Sequence, residues 1–264
     1  MPKKPKTKAH HQVHRDPPDE RDHIYSGDAI APSVDLRRDL FDVENQRNSN
    51  GCGGFAASTL VEMLFKRFRP AKAVEFSPLF AWWNARAYAG DTLKNEGVTS
   101  RTLLKGLHKQ GICPEVHWPF DESKYLTPPP QPAFRTAKRL RIKSYKRCNN
   151  PRAIKAALSE GLPVLLGLMV REGLERISGP LRTHPAQFAV YREQPERFGH
   201  FMVIVGYRRG GAILVNSWGT DVHDQGCLLI PWRVLMKDYF DIWVVTGIGS
   251  LLDGAVKSKR KRPA

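Results

Sequence analysis

Apolar positions divide the chain into a helix-patterned first half and a strand-patterned second half. Between residues 51 and 68 they recur almost all round a helix: Phe55, Leu60, Val61, Met63, Leu64, Phe65 and Phe68. A surface helix shows a single apolar stripe, so this pattern predicts a helix buried on most faces, and Pro70 stops it. A second helix, rich in aromatics and alanine, is predicted over 78–88. A third covers 99–110, with Leu103, Leu104 and Leu107 on one side and Gly111 as its stop. Pro128-Pro-Pro130 and Pro132 cannot join a sheet centre and predict an extended surface strap between two lobes.

Beyond the strap, residues 139–145 alternate basic side chains with Leu140, Ile142 and Ser144, the pattern of a half-exposed strand. Asn150 and Pro151 read as N-cap and first position of a short helix ended by Gly161. Further strands are predicted at 164–170, 201–207, 212–215 and 227–230. Helices first and strands afterwards argue an α+β architecture.

The ends carry a different composition. Residues 1–29 are polar, dense in charge and contain Pro17-Pro18, which predicts a disordered N-terminal tail. A folded domain is expected over 30–252, with a helical lobe at about 45–127 and a sheet lobe at about 133–247, and then a basic tail over 253–264. At 264 residues the chain is long enough to bury a full core. The net charge of +16 is concentrated outside that domain, since residues 1–8 and 257–262 together hold +9. High charge is therefore weak evidence for a nucleic-acid-binding fold. The tails are candidate polyanion contacts, and Lys259-Arg-Lys-Arg262 also fits nuclear targeting.

No apolar run approaches the eighteen or so residues of a membrane span, and no apolar stretch follows the basic start as in a secretory signal. A soluble, cytoplasmic monomer is expected, with delivery into a host cell left open. Four cysteines, at 52, 113, 148 and 227, are too scattered for a disulfide scaffold. Cys113, Cys148 and Cys227 read as small buried side chains, and no metal site or organic cofactor is implied.

The candidate chemistry lies in two segments far apart in the chain. One is Gln46-Arg-Asn-Ser-Asn-Gly-Cys52-Gly-Gly-Phe55; the other runs from Gly199-His200 through Gly206-Tyr207 to Asn216-Ser-Trp-Gly219. A thiol nucleophile needs a base, the base needs a group that fixes its orientation, and a developing oxyanion needs donors. Cys52, His200, Asn216 and Gln46 supply those four roles in that order. Cys52 opens the first helix, where unpaired N–H groups and the positive dipole end favour a thiolate. With a partner imidazolium such thiols reach a pKa of about 3–4, so a depressed value is expected.

Residues, order and local context together resemble the papain-like cysteine peptidases of family C1, over roughly residues 31–247. The resemblance implies a two-lobe fold, with Cys52 on a helical lobe, His200 and Asn216 on an antiparallel sheet-barrel lobe, and the site in the cleft between them. It implies that Asn216 holds the imidazole, that Trp218 shields that bond, and that Gln46, six residues before Cys52, joins the Cys52 N–H in binding an oxyanion. Asn95-Glu-Gly97 resembles the glycine segment that pairs with substrate backbone. Gly111-Ile-Cys-Pro-Glu115, Trp118-Pro-Phe120 and Tyr239-Phe-Asp-Ile-Trp243 resemble the shorter bacterial members.

The implied activity is hydrolysis of peptide bonds in a polypeptide substrate through an acyl-enzyme. An amidase, deamidase or transpeptidase using the same thiol stays open, as does an inactive basic scaffold, against which the four intact positions argue. Several departures from the pattern stand out. Ser49 replaces a cysteine that secreted members bridge. Gly53 and Gly54 replace an aromatic and an alanine, which is expected to weaken the first helical turn and widen the cleft. Phe201 replaces an alanine beside the histidine, and about 30 residues precede the domain where secreted members carry a long pro-segment.

Overall fold

The computed structural model describes residues 13, 15–68, 70, 73–182 and 184–248. Residues 1–12 and the basic tail at 253–264 lie outside the described residues. Three helices build the first lobe. Helix α1 (Cys52–Phe68) is buried from Cys52 to Phe65 except at Thr59, as its all-round apolar pattern requires, and it ends on Lys66 and Arg67, whose charge suits the C-terminal dipole. Helix α2 (Pro78–Ala89) starts where the Ser77 hydroxyl accepts the Phe80 N–H at 3.1 Å, and it ends at Gly90 with φ 77°. Helix α3 (Ser100–Lys109) begins with a reciprocal capping box between Thr99 and Thr102. Helix α1 packs on α2, and α2 on α3.

The second lobe is a sheet of β1 (Val34–Asp35), β2 (Ile142–Arg147), β3 (Val164–Arg171), β4 (Glu196–Arg208), β5 (Gly211–Val215), β6 (Cys227–Pro231) and β7 (Tyr239–Ile248). The strand order is β2-β7-β3-β4-β5-β6, all antiparallel, with β1 paired to β4. Among the described residues the sheet does not close, so the expected barrel is an open sheet with β2 and β6 at its edges. Strand β4 packs against α1, which makes this contact the seam between the lobes. Helix α5 (Pro151–Ser159) lies on β3 and β4, capped by Asn150 as its sequence predicts. Among the described residues no helix is long and apolar enough to cross a membrane.

Three expectations change. The proline strap is extended only as far as Pro130; Pro132 then sits in the first turn of α4 (Gln131–Ala137), where its missing N–H costs nothing. That helix displaces the start of β2 from 139 to Ile142. Helices α6 (Pro185–Arg192) and α7 (Trp232–Asp238) and strand β7 have no counterpart in the sequence reading. Strand β7 is buried on both faces and lacks the alternation that marks a half-exposed strand.

The largest correction concerns residues 15–29, expected to be disordered. Together with Val13 they form a strap bound across both lobes. Asp16 accepts the Arg101 N–H at the start of α3 at 2.7 Å and gives its own N–H to Asp241 of β7 at 3.3 Å. Asp22 pairs with Arg101 at 2.8 Å and with Arg147 at 3.0 Å, and Arg147 pairs with Asp241 at 2.7 Å. Tyr25 and His23 exchange backbone hydrogen bonds with Arg147 at 2.9 and 2.8 Å. Val13 is buried, its carbonyl oxygen only 2.8 Å from where a Cβ on Gly199 would stand. A search for apolar residues misses this strap because carboxylates matched to two arginines hold it, one of its partners being the fully buried Asp241.

Deleting residues 1–29 therefore removes partners from Arg101, Arg147 and Asp241 at once. The pairs lost, Asp22 with Arg101 and with Arg147, are partly buried, and a hydrogen bond to a charged group contributes about 1.5–3 kcal/mol. Urea unfolding should show a loss of about 1.5 kcal/mol or more; an unchanged midpoint would mean the strap contributes no stability.

Candidate active site

Cys52 stands at the first position of α1 and is fully buried. His200 lies within β4, opposite Leu168 of β3, and Asn216 directly follows β5. Antiparallel pairing of β4 with β5, with Val203 opposite Val215, brings these two residues together across 16 positions of sequence. The His200 Nε2 to Asn216 Oδ1 distance is 2.8 Å, and the Trp218 ring stacks on the imidazole at 4.9 Å between centroids with 29° between planes.

The protonation of His200 follows from its neighbours. The backbone N–H of Ser217 meets the same Asn216 Oδ1 at 2.8 Å. A backbone N–H can only donate, so that Asn216 atom is the carbonyl oxygen and His200 must donate through Nε2–H. In the neutral ring the lone pair then falls on Nδ1, leaving Nδ1 as the basic nitrogen.

Gln46 is also buried, and both ends of its amide are engaged. Its Oε1 accepts from the Ser217 hydroxyl at 2.7 Å, and its Nε2 donates to the Ser49 carbonyl at 2.9 Å. Its backbone N–H donates to Ser217 O at 2.9 Å, Gly219 N–H donates to Glu44 O at 3.0 Å, and Asn45 pairs with Trp218 in an antiparallel bridge. The glutamine loop and the Asn-Ser-Trp-Gly turn are thus joined like two short strands. Ser49, in place of the bridged cysteine, turns its hydroxyl to Gln46 O at 2.8 Å. The segment carrying Gly97 is held beside the same loop: Asn50 N–H donates to Asn95 Oδ1 at 3.1 Å, Asn50 Nδ2 donates to Asn95 O, and Trp82 Nε1 donates to Glu96 O at 2.9 Å.

All six candidates, Gln46, Cys52, Gly97, His200, Asn216 and Trp218, therefore sit on elements that meet at this seam. The electrostatics differ from expectation. Burial pushes the Cys52 thiol up to about 11, against the lowering effect of the N–H groups of Phe201, Gly53 and Cys52 itself. Desolvation of the thiolate outweighs the helix N-terminus in a site this enclosed. The four cysteines are all free and buried. Among the described residues no three His, Cys, Asp or Glu side chains gather as a metal would require.

The space beside the glycines after Cys52 is filled. A Cβ on Gly53 would lie 2.6 Å from Val98 Cγ2 and 3.3 Å from the Phe201 ring, and a Cβ on Gly54 would lie 2.2 Å from Pro78 O. Gly54 admits close contact between α1 and α2, and Phe201 fills space that a larger residue at 53 would claim. The two departures compensate each other. Ser217 was missed by sequence reasoning as a site residue, although it lies inside the quoted Asn-Ser-Trp-Gly motif; nothing in one dimension shows its hydroxyl turned to Gln46.

No protein-family model matches the chain. An uncharacterized peptidase C1-like protein of Acanthamoeba polyphaga mimivirus is 28% identical over 182 residues, covering 64% of this chain. The match spans 58% of that relative's length. Xylellain, a cysteine protease from Xylella fastidiosa, superposes with a TM-score of 0.79 at 24% identity, over 89% of this chain and 95% of that one. Procathepsin B S9 from Trypanosoma congolense gives 0.71 at 11% identity over 91% and 86%. A Carica candamarcensis cysteine protease gives 0.61 at 18% over 82% and 99%. The fold is papain-like.

Replacing Phe201 by Ala should open a cavity against Gly53 and cost about 3–5 kcal/mol. Gly54→Ala should also destabilise, because the contacted atom is backbone and cannot turn aside. Denaturant midpoints at unchanged m-value check both, and a neutral Gly54→Ala would contradict the close approach of α1 and α2.

Proposed function

We propose that this chain is a cysteine peptidase acting on polypeptides. The observation that carries the reading is the buried His200–Asn216 hydrogen bond, fixed in direction by the Ser217 N–H, in a papain-like fold whose first helix opens on Cys52. The similarity to cysteine proteases and to a peptidase C1-like protein supports it.

Each group has a definite task in this reading. Cys52 Sγ adds to the scissile carbonyl as its proton passes to His200 Nδ1, the basic nitrogen. A buried thiol with a raised pKa gives up its proton during attack, so the neighbouring imidazole acts as general base at that moment. The carbonyl oxygen takes the negative charge and meets the Cys52 N–H and the second Nε2 hydrogen of Gln46, whose amide Ser217 and Ser49 hold in place. His200 passes its proton to the leaving amine, the C–N bond breaks, and a thioester remains. Water, deprotonated by His200, adds to the thioester and releases the acid and the thiol. Asn216 accepts from Nε2–H throughout and stabilises the imidazolium, while Trp218 keeps water off that bond. Gly97, placed beside the Asn50 loop, presents backbone to the substrate.

Profiling with a peptide library, with mapping of the residue labelled by an electrophilic thiol probe, tests the assignment. Cys52→Ala should abolish turnover and labelling with the fold retained; hydrolysis by that variant would remove Cys52 as nucleophile. Gln46→Ala should lower kcat by about 10²-fold, the effect of losing one oxyanion donor. A change confined to KM would mean its amide is not aimed at the oxyanion.

A further inference from the structure

A second histidine stands behind the first. His223 lies five residues after Trp218 in the loop that returns to β6, with φ 59°. Its Nδ1 is 2.8 Å from the Ile177 carbonyl oxygen, and its Nε2 is 3.2 Å from Asn216 Nδ2. A carbonyl can only accept, so Nδ1 carries the proton, and Nε2 of the neutral ring must then accept. The same conclusion follows from the other direction, because the Ser217 N–H makes Oδ1 the oxygen of Asn216 and Nδ2 its donor. Two independent backbone groups, Ile177 C=O and Ser217 N–H, thus set one consistent polarity along Ile177–His223–Asn216–His200. The Trp218 ring contacts both imidazoles, at 4.9 Å from His200 and 6.1 Å from His223.

We propose that neutral His223 is a positioning residue for the reaction assigned above: by accepting from Asn216 Nδ2 it holds the amide with its oxygen toward His200, and its protonation breaks that hold. The inference rests on the peptidase reading for its catalytic consequence and on geometry alone for the chain of hydrogen bonds. An amide anchored only at its oxygen can pivot about that end. Anchored at both ends it keeps Oδ1 on the His200 Nε2–H through each protonation cycle of His200.

Protonated His223 would carry N–H groups on both nitrogens, so a donor would face the Asn216 Nδ2 donor at 3.2 Å. The amide must then move away or turn, and turning takes its oxygen from His200 and from the Ser217 N–H. Burial lowers the His223 pKa from 6.5, while its bond to Ile177 O and the charge of Glu175 raise it in part. Arg182, His184, Asp224 and Cys227 line a small hollow with it, Asp224 accepting the Leu181 N–H at 2.8 Å, and His200 lies on the other side of the Trp218 and Asn216 side chains. Because the folded value lies below the unfolded one, the folded state takes up this proton less readily. The His223 contribution to stability is complete above the unfolded pKa and declines as pH falls through the folded one. The positioning effect on rate follows the folded pKa.

Two substitutions separate hydrogen bonding from shape. His223→Asn suits the left-handed backbone and places its amide near the Nδ1 position, keeping the bond to Ile177 but not reaching Asn216. His223→Gln reaches the Nε2 position with an oxygen that accepts and does not titrate. Both are compared with wild type by thermal melting, by kcat and KM against pH, and by NMR of the Asn216 side-chain amide. Expected are a roughly tenfold lower kcat with KM within twofold for His223→Asn, and kcat within twofold of wild type for His223→Gln. His223→Gln should also lose the part of the acid limb that coincides with the His223 titration. In an Asn216→Ala background His223→Asn should cost nothing further, since both then act through the same absent amide.

The Asn216 amide resonances of the wild type should shift with the His223 pKa and stay flat in His223→Gln, a readout independent of turnover. Amide resonances blind to His223 titration, or equal loss of kcat in folded Asn and Gln variants, would overturn the proposal. Wild-type protein that cleaves no library peptide would instead overturn the peptidase reading, and the amide titration would still decide the chain of hydrogen bonds.

Discussion

One backbone N–H decides the polarity of the site. Ser217 N–H meets Asn216 Oδ1 and thereby fixes which atom of a nearly symmetric amide faces His200. From that single donor follow the Nε2–H tautomer of His200, the basic character of its Nδ1 and the acceptor role of His223 Nε2. Ser217 acts in a second direction as well. Its hydroxyl and carbonyl bind the side chain and backbone of Gln46, so the loop before α1 and the turn after β5 share one anchor. This short pairing is one of the ties between the lobes.

Enclosure shapes the chemistry as much as the hydrogen bonds do. Cys52, Gln46, His200 and Asn216 are all buried, and that burial disfavours the Cys52 thiolate. The same enclosure strengthens each oriented dipole in the site. The N-terminal strap packs on the opposite face of β4, where Val13 lies against Gly199. Carboxylates of the strap neutralise Arg101 and Arg147 at the seam of the lobes. Electrostatic pairing does here what an apolar cover does in other folds.

Substitutions that look disruptive one at a time become coherent as a set. Glycine at 53 and phenylalanine at 201 exchange bulk across the seam, and glycine at 54 lets α1 approach Pro78. Interiors packed to crystalline density leave little choice: a large residue on one side demands a small one opposite.

Periodicity and stop signals by themselves determined α1, α2, α3 and α5, because caps, prolines and apolar stripes act within a few residues of sequence. The candidate thiol, imidazole, amide and glutamine were legible only as a set, through their matched order and spacing, with Asn216-Ser-Trp-Gly219 the most distinctive stretch. What the chain could not disclose alone depends on partners distant in sequence. Only the end of the proline-rich stretch became a helix, because Pro132 is harmless in a first turn. Strand β7 carries no alternation because both of its faces are covered. Residues 15–29 fold because Asp16 and Asp22 find arginines at 101 and 147. His223 reads as an ordinary loop residue until the fold sets Ile177 O at its Nδ1 and Asn216 Nδ2 at its Nε2. Tertiary structure alone decided those contacts, since hydrogen bonds and ion pairs are short-ranged and exist only once the sheet and α1 have closed on each other.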